Sequence, residues 1–127
     1  MNAAIGWVLR VSLEKRVPGG HEQEGIRPVV VVGIPSRIGK PRYPMLIIVP
    51  LTTDRGAKWS EGSPILYPKI SAGSGGIQND SLALLDQMRA VDVSRVVAKA
   101  GELSDLEMKP LINGLKNLFG HHHKTAS

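Results

Sequence analysis

Cysteine is absent from the 127 residues, which rules out a disulfide framework and any thiolate metal site and suits a reducing compartment. Long hydrophobic runs are missing too. The longest, Met45 to Val49, is far short of the roughly 20 apolar residues that a membrane-spanning helix needs. The first residues lack the basic-then-apolar pattern of a secretory signal, since Arg10 comes only after the short stretch Ile5 to Leu9. A cytoplasmic protein is therefore expected. No internal repeat is visible, and negative charge is in the minority: 11 Asp and Glu face 16 Lys and Arg, a net charge of +5. That excess favours a polyanion or an acidic protein as partner.

What is present is enough for one domain. A chain of this length can bury about two-thirds of its unfolded surface in a single core. With 42% hydrophobic and 21% charged residues it has a globular composition. Residues 1–119 read as that domain and 120–127 as a disordered tail. The His121-His122-His123 run in the tail is read as a solvated end, and no metal site or cofactor is expected.

The pattern is mainly β. Gly6 to Leu13 alternates as a strand does, and Arg27 to Ile34 and Pro44 to Leu51 are continuous Val/Ile/Leu runs that need both faces covered. Ile65-Leu66-Tyr67, Leu82 to Leu85 and Val96 to Lys99 read as further short strands. Gly and Pro clusters near 18–20, 35–44, 62–64 and 73–76 mark the turns. Short, punctuated strands of this kind predict a small β-barrel. At the C-terminus Ser104-Asp105-Leu106-Glu107 has capping-box spacing, and Met108, Leu111, Ile112, Leu115, Leu118 and Phe119 form one apolar stripe of a helix. Pro110 should kink that helix or delay its start.

Chemistry concentrates in three blocks. Gly20-His21-Glu22-Gln23-Glu24-Gly25-Ile26-Arg27-Pro28 places a His, two carboxylates and an Arg on a loop that leads into a buried strand. Arg27 offers a planar, permanently charged fork suited to phosphate oxygens, or else simply caps the strand. Histidine is the side chain best suited to proton transfer at neutral pH, which makes His21 a candidate, while Glu22 would need burial or a like charge, such as Glu24, to act as a base there. Pro50-Leu51-Thr52-Thr53 puts hydroxyls at a strand tip, where Thr also serves structure. The third block is Leu85-Asp86-Gln87-Met88-Arg89-Ala90-Val91-Asp92, in which Arg89 and Asp92 read as a structural ion pair. Basic groups at Arg37, Lys40 and Arg42 and at Arg55 and Lys58 flank the Met45 to Val49 strand and could rim one surface. Trp59 and Tyr67 could stack on bases, though packing is the favoured use.

In order and spacing these blocks resemble the PemK/MazF family of toxin endoribonucleases, over about residues 5 to 119. The resemblance implies a small SH3-like β-barrel with a C-terminal helix, acting as a homodimer. It implies a sequence-selective, metal-independent endoribonuclease of a type II toxin-antitoxin system, cutting single-stranded RNA through the ribose 2′-hydroxyl. The antitoxin would bring an acidic, partly disordered tail. Carried over by motif, Arg27 and Thr52 are catalytic, with His21 and Glu22 as candidates for proton transfer and Thr53 or Asp54 as substitutes for Thr52. Gln23, Thr53, Arg55, Lys58, Asp86 and Gln87 are candidate RNA contacts. The chain departs from some relatives at Leu84, where they carry a catalytic Arg, which leaves Arg27 as the one confident cation. A gyrase-poisoning toxin on the same architecture and a non-catalytic RNA-binding barrel are the alternatives.

Overall fold

A computed structural model describes residues 2–15 and 18–120. Seven strands form one curved antiparallel sheet: β1 (Trp7–Leu13), β2 (Gly25–Gly33), β3 (Met45–Thr53), β4 (Lys69–Ile70), β5 (Ser81–Ala83), β6 (Arg89–Asp92) and β7 (Val96–Glu102). A one-turn helix α1 (Lys58–Glu61) sits between β3 and β4, and α2 (Asp105–Phe119) ends the chain. The ladder order is β4-β5-β3-β2-β1-β7, with β6 also on β3, so the barrel is curled rather than closed by hydrogen bonds.

The uninterrupted Val run of β2 has the cause expected. Val30 points with Val8, Val49, Leu51, Leu85 and Leu111 into a core under α2, while Val29 and Val31 point with Leu9, Val11, Ile48 and Val91 into a second core on the other face. Every one of these side chains is almost fully buried. Removing a large one would cost about 2–5 kcal/mol through lost transfer energy and the cavity left behind.

Pro50 organises the far edge of β3. Leu84 N–H donates to the Pro50 carbonyl at 2.9 Å, but Pro50 has no N–H to return. The Leu84 carbonyl instead accepts from Gln87 N–H at 3.0 Å, and the chain leaves the ladder in a 3₁₀ turn over Leu85–Gln87. Pairing with β3 resumes at Ile48 opposite Arg89, so β5 and β6 share one edge with a three-residue offset between them.

The helix follows its sequence signals closely. Ser104 accepts from the Glu107 N–H at 3.1 Å, and Glu107 Oε1 accepts from the Ser104 N–H at 2.8 Å. Met108, Leu111 and Leu115 are buried. Three expectations need correction. Pro110 does not delay the helix, which starts at Asp105 directly after the cap. Leu118 and Phe119 are largely exposed, because the last turn extends beyond the core that α2 covers. Ile65-Leu66-Tyr67 is no strand: Tyr67 N–H closes a turn onto the Ser63 carbonyl between Pro64 and Pro68, and the strand begins only at Lys69. The tail from residue 121 lies outside the described residues.

The gap between β7 and the β5 side is spanned by a 3₁₀ turn at Ser74–Gly76 that lies backbone against backbone on β7. Gly76 has φ +76°, and a Cβ there would lie 2.2 Å from the Ala100 carbonyl oxygen; one on Gly101 would lie 2.5 Å from the Gly75 carbonyl carbon. Gly101→Ala is therefore expected to destabilise by about 1–3 kcal/mol, since only main chain can yield. Gly39→Ala, which meets nothing within 4 Å, is the control. Equal melting temperatures for the two variants would refute this account.

Candidate active site

A cavity of about 430 Å³ opens where the ends of β2 and β3 diverge. Arg10, Arg27, Arg55, Thr52, Thr53 and Asn79 supply its polar wall, and no Asp or Glu is among its lining residues. Three guanidinium groups with no neutralising carboxylate make a strongly positive concavity, matched to phosphate.

Local structure explains the placement of each. Gly25, with φ +80°, turns the chain into β2, and Pro28 holds Arg27 extended. Arg27 Nε donates to the Glu24 carbonyl at 2.9 Å, which fixes one edge of the guanidinium and leaves its terminal nitrogens for a ligand. Thr52 and Thr53 sit at the end of β3, opposite Leu82 and Ser81 of β5. Beyond them Asp54 N–H donates to the Asp80 carbonyl at 2.8 Å, and Asp54 Oδ1 accepts from Gly56 N–H at 3.0 Å. This tight turn directs Arg55 back onto the cavity. Asp54 itself, kept as a substitute for Thr52, is otherwise engaged, its second oxygen lying 3.3 Å from Lys69 Nζ.

The His21 to Gln23 segment stands beside this cavity without lining it. Gln87, positioned by the 3₁₀ turn, accepts from Gln23 N–H at 2.7 Å and donates to the His21 carbonyl at 3.2 Å. Arg89 donates to the Gln23 carbonyl at 3.2 Å. Gln87 and Arg89 thus act as loop anchors, and Asp92 caps the turn Val93–Arg95 by accepting from Ser94 N–H. The side chains of His21, Glu22 and Glu24 are exposed.

Other candidates lie elsewhere. Asp86 accepts a 2.6 Å hydrogen bond from the Tyr67 hydroxyl, whose pKa that contact raises, and Trp59 packs edge-on against Tyr67 with centroids 5.0 Å apart. Lys58 opens α1 and is not part of the cavity wall. The two basic groups do not rim one surface: Arg37, Lys40 and Arg42 precede β3 and Arg55 follows it, about 27 Å apart at the usual strand rise. Leu84 is core, 4% exposed. Arg10 was missed by the sequence reading, though a signal existed: it is the one charged residue in the apolar strand Trp7–Leu13. Among the described residues no group of three or more His, Asp or Glu is placed to hold a metal ion.

The fold and its arginine-lined cavity have counterparts among known proteins. Residues 6–119 match the family model for PemK-like, MazF-like toxins of type II toxin-antitoxin systems. The endoribonuclease MazF of Staphylococcus saprophyticus is 31% identical over 103 residues, 81% of each chain. A crystal structure of MazF from Deinococcus radiodurans superposes with a TM-score of 0.69 at 19% identity, over 92% of this chain and 96% of that one. The MazE–MazF complex from the same organism gives 0.65 at 22% identity, covering 96% and 99%. The chain belongs to the PemK/MazF toxin family.

Asp54 gives this site a pH signature. Its pKa lies below the ordinary 3.8, chiefly through the Gly56 N–H and then through Lys69. A carboxyl held low in the folded state stabilises above its unfolded pKa, and that stabilisation is lost as pH falls through the folded value. The melting temperature should therefore fall as the pH drops below about 3.8, and Asp54→Ala should show a shallower fall. An acid limb identical in the variant would show that the turn does not depend on this carboxylate.

Proposed function

We propose that the protein is the toxin of a type II toxin-antitoxin pair and an endoribonuclease that cuts single-stranded RNA in the cytoplasm. The observation that carries this reading is the carboxylate-free cavity in which Arg27 and Thr52 meet. Family membership and the endoribonuclease activity named for its relative support it. No helix of the described chain is long and apolar enough to cross a membrane.

The chemistry follows from the residues. A base takes the proton of the ribose 2′-hydroxyl, the 2′-oxygen attacks the adjacent phosphorus, and the 5′-oxygen leaves as an acid protonates it. The products are a 2′,3′-cyclic phosphate and a 5′-hydroxyl. Because the nucleophile is part of the substrate, no metal-bound water is required. Arg27, anchored at Nε, donates its terminal N–H groups to the phosphorane oxygens, where charge accumulates. The Thr52 hydroxyl holds a further oxygen. His21 and Glu22 are the proton-transfer candidates, on a loop anchored by Gln87 and adjacent to the cavity. RNA contacts from Thr53 and Arg55 would lie along the same mouth, with Gln23 and Gln87 on the neighbouring loop and Asp86 apart from it beside Tyr67.

The same positive wall accepts carboxylates, so an antitoxin with an acidic, partly disordered tail would block it by occupying it. The MazF of Deinococcus radiodurans is seen with MazE. A homodimer, with RNA in a groove between the subunits, completes the proposal. Sequence selectivity belongs to the loops around the cavity.

Purified protein is expected to cut single-stranded RNA in EDTA, and a 2′-deoxy substitution at the cut site should abolish cutting. Dependence on added Mg²⁺, or undiminished cleavage of the deoxy substrate, would contradict the mechanism. Among variants, Arg27→Ala should lose about 3 kcal/mol of transition-state stabilisation while remaining folded. His21→Gln should remove a pH-rate limb near neutrality that Glu22→Gln leaves in place. Near-normal cleavage by folded Arg27→Ala would overturn the assignment of the cavity.

A further inference from the structure

Arg10 is the one exposed residue of β1. Its neighbours along β1, Leu9 and Val11, are fully buried, and alternation puts its side chain on the face of Val8 and the first core. Its cross-strand partners are Pro28 on β2 and Ala98 on β7, neither of which carries a charge to pair with it. A strand wedged between two others holds this position rigidly, and Arg10 lines the cavity that Arg27 also lines. A permanent positive charge held on a rigid strand and exposed at a cavity with no Asp or Glu among its lining residues is suited to an anionic ligand.

We propose that Arg10 is a second phosphate-binding residue of this enzyme, holding the phosphodiester next to the one that is cut. This rests on the ribonuclease reading. Arg10 lies opposite Pro28, so its Cα is about 6 Å from that of Arg27 on the neighbouring strand at standard sheet spacings. Arg10 pairs with Pro28 and Arg27 with Val11, so the two side chains leave opposite faces of the sheet, which favours successive phosphates over a shared one. Arg10 thereby provides from β1 a cation near the cut, where Leu84 offers none. It is a positioning residue: it holds the backbone in register so that Arg27 and Thr52 meet the scissile phosphate.

The test compares wild type with Arg10→Gln, Arg10→Met and Arg10→Lys on a short RNA with one cut site, each checked for an unchanged melting temperature. For Gln and Met, KM should rise roughly tenfold, as for loss of one charged hydrogen bond, with kcat within about twofold. The slope of log binding constant against log salt should fall by about 0.7, the share of one phosphate contact on a single strand, and Lys should restore it. A neutral methylphosphonate at one of the two linkages flanking the cut should weaken wild type but cost Arg10→Gln little more. Unchanged KM and salt slope, additive penalties at both flanking linkages, or weakened antitoxin binding with RNA binding intact would each overturn the proposal. In all three cases wild type still cuts RNA, so the nuclease reading stands; a wild type that neither binds nor cuts RNA would overturn both.

Discussion

One missing hydrogen atom shapes the functional end of this molecule. Pro50 accepts from Leu84 but cannot donate in return, so the ladder between β3 and β5 stops there and the freed Leu84 carbonyl starts a turn. An antiparallel pair normally exchanges both bonds. The turn sets Gln87 and Arg89 against the main chain of His21 and Gln23, which ties the loop before β2 to the edge of β3. A strand, a turn and a remote loop are thus placed by a single backbone vacancy. Had residue 50 an N–H group, β5 could run on into β6, and the loop would lose its anchor.

The cavity owes its character to exclusion as much as to attraction. The oxygens of Asp54, in the turn that carries Arg55, are engaged by Gly56 and Lys69. Each is removed from competition for the arginines. Several uncompensated guanidinium groups around one concavity attract an anion more strongly than a single one on an open surface.

Much of this was legible in the chain. Continuous Val/Ile/Leu runs fixed β2 and β3 and required two cores, and the Ser104–Glu107 box marked the helix to within a residue, because these signals are local. Arg27 and Thr52, singled out by their motifs, both line the cavity. Harder to see were features set by distant partners. Ile65-Leu66-Tyr67 has strand-like residues but sits between prolines in a turn, leaving Ile65 68% exposed. Arg89–Asp92 reads as a motif and is also a strand, because β3 presents an edge there. The two basic groups are near in sequence yet lie at opposite ends of β3. Arg10 becomes significant only once β1, β2 and the Gly76 turn are seen around one space.

The contact of Gly75 and Gly76 with Ala100 and Gly101 contains almost no side-chain atoms, and the same segment forms part of the cavity wall. Main chain has no rotamers with which to absorb an added methyl group, so neither segment can change alone. A change in one would require a matching change in the other, or would shift the cavity wall. The two stretches, some 25 residues apart, therefore constrain each other, and the seam that takes the place of the absent ladder has little room for an added side chain.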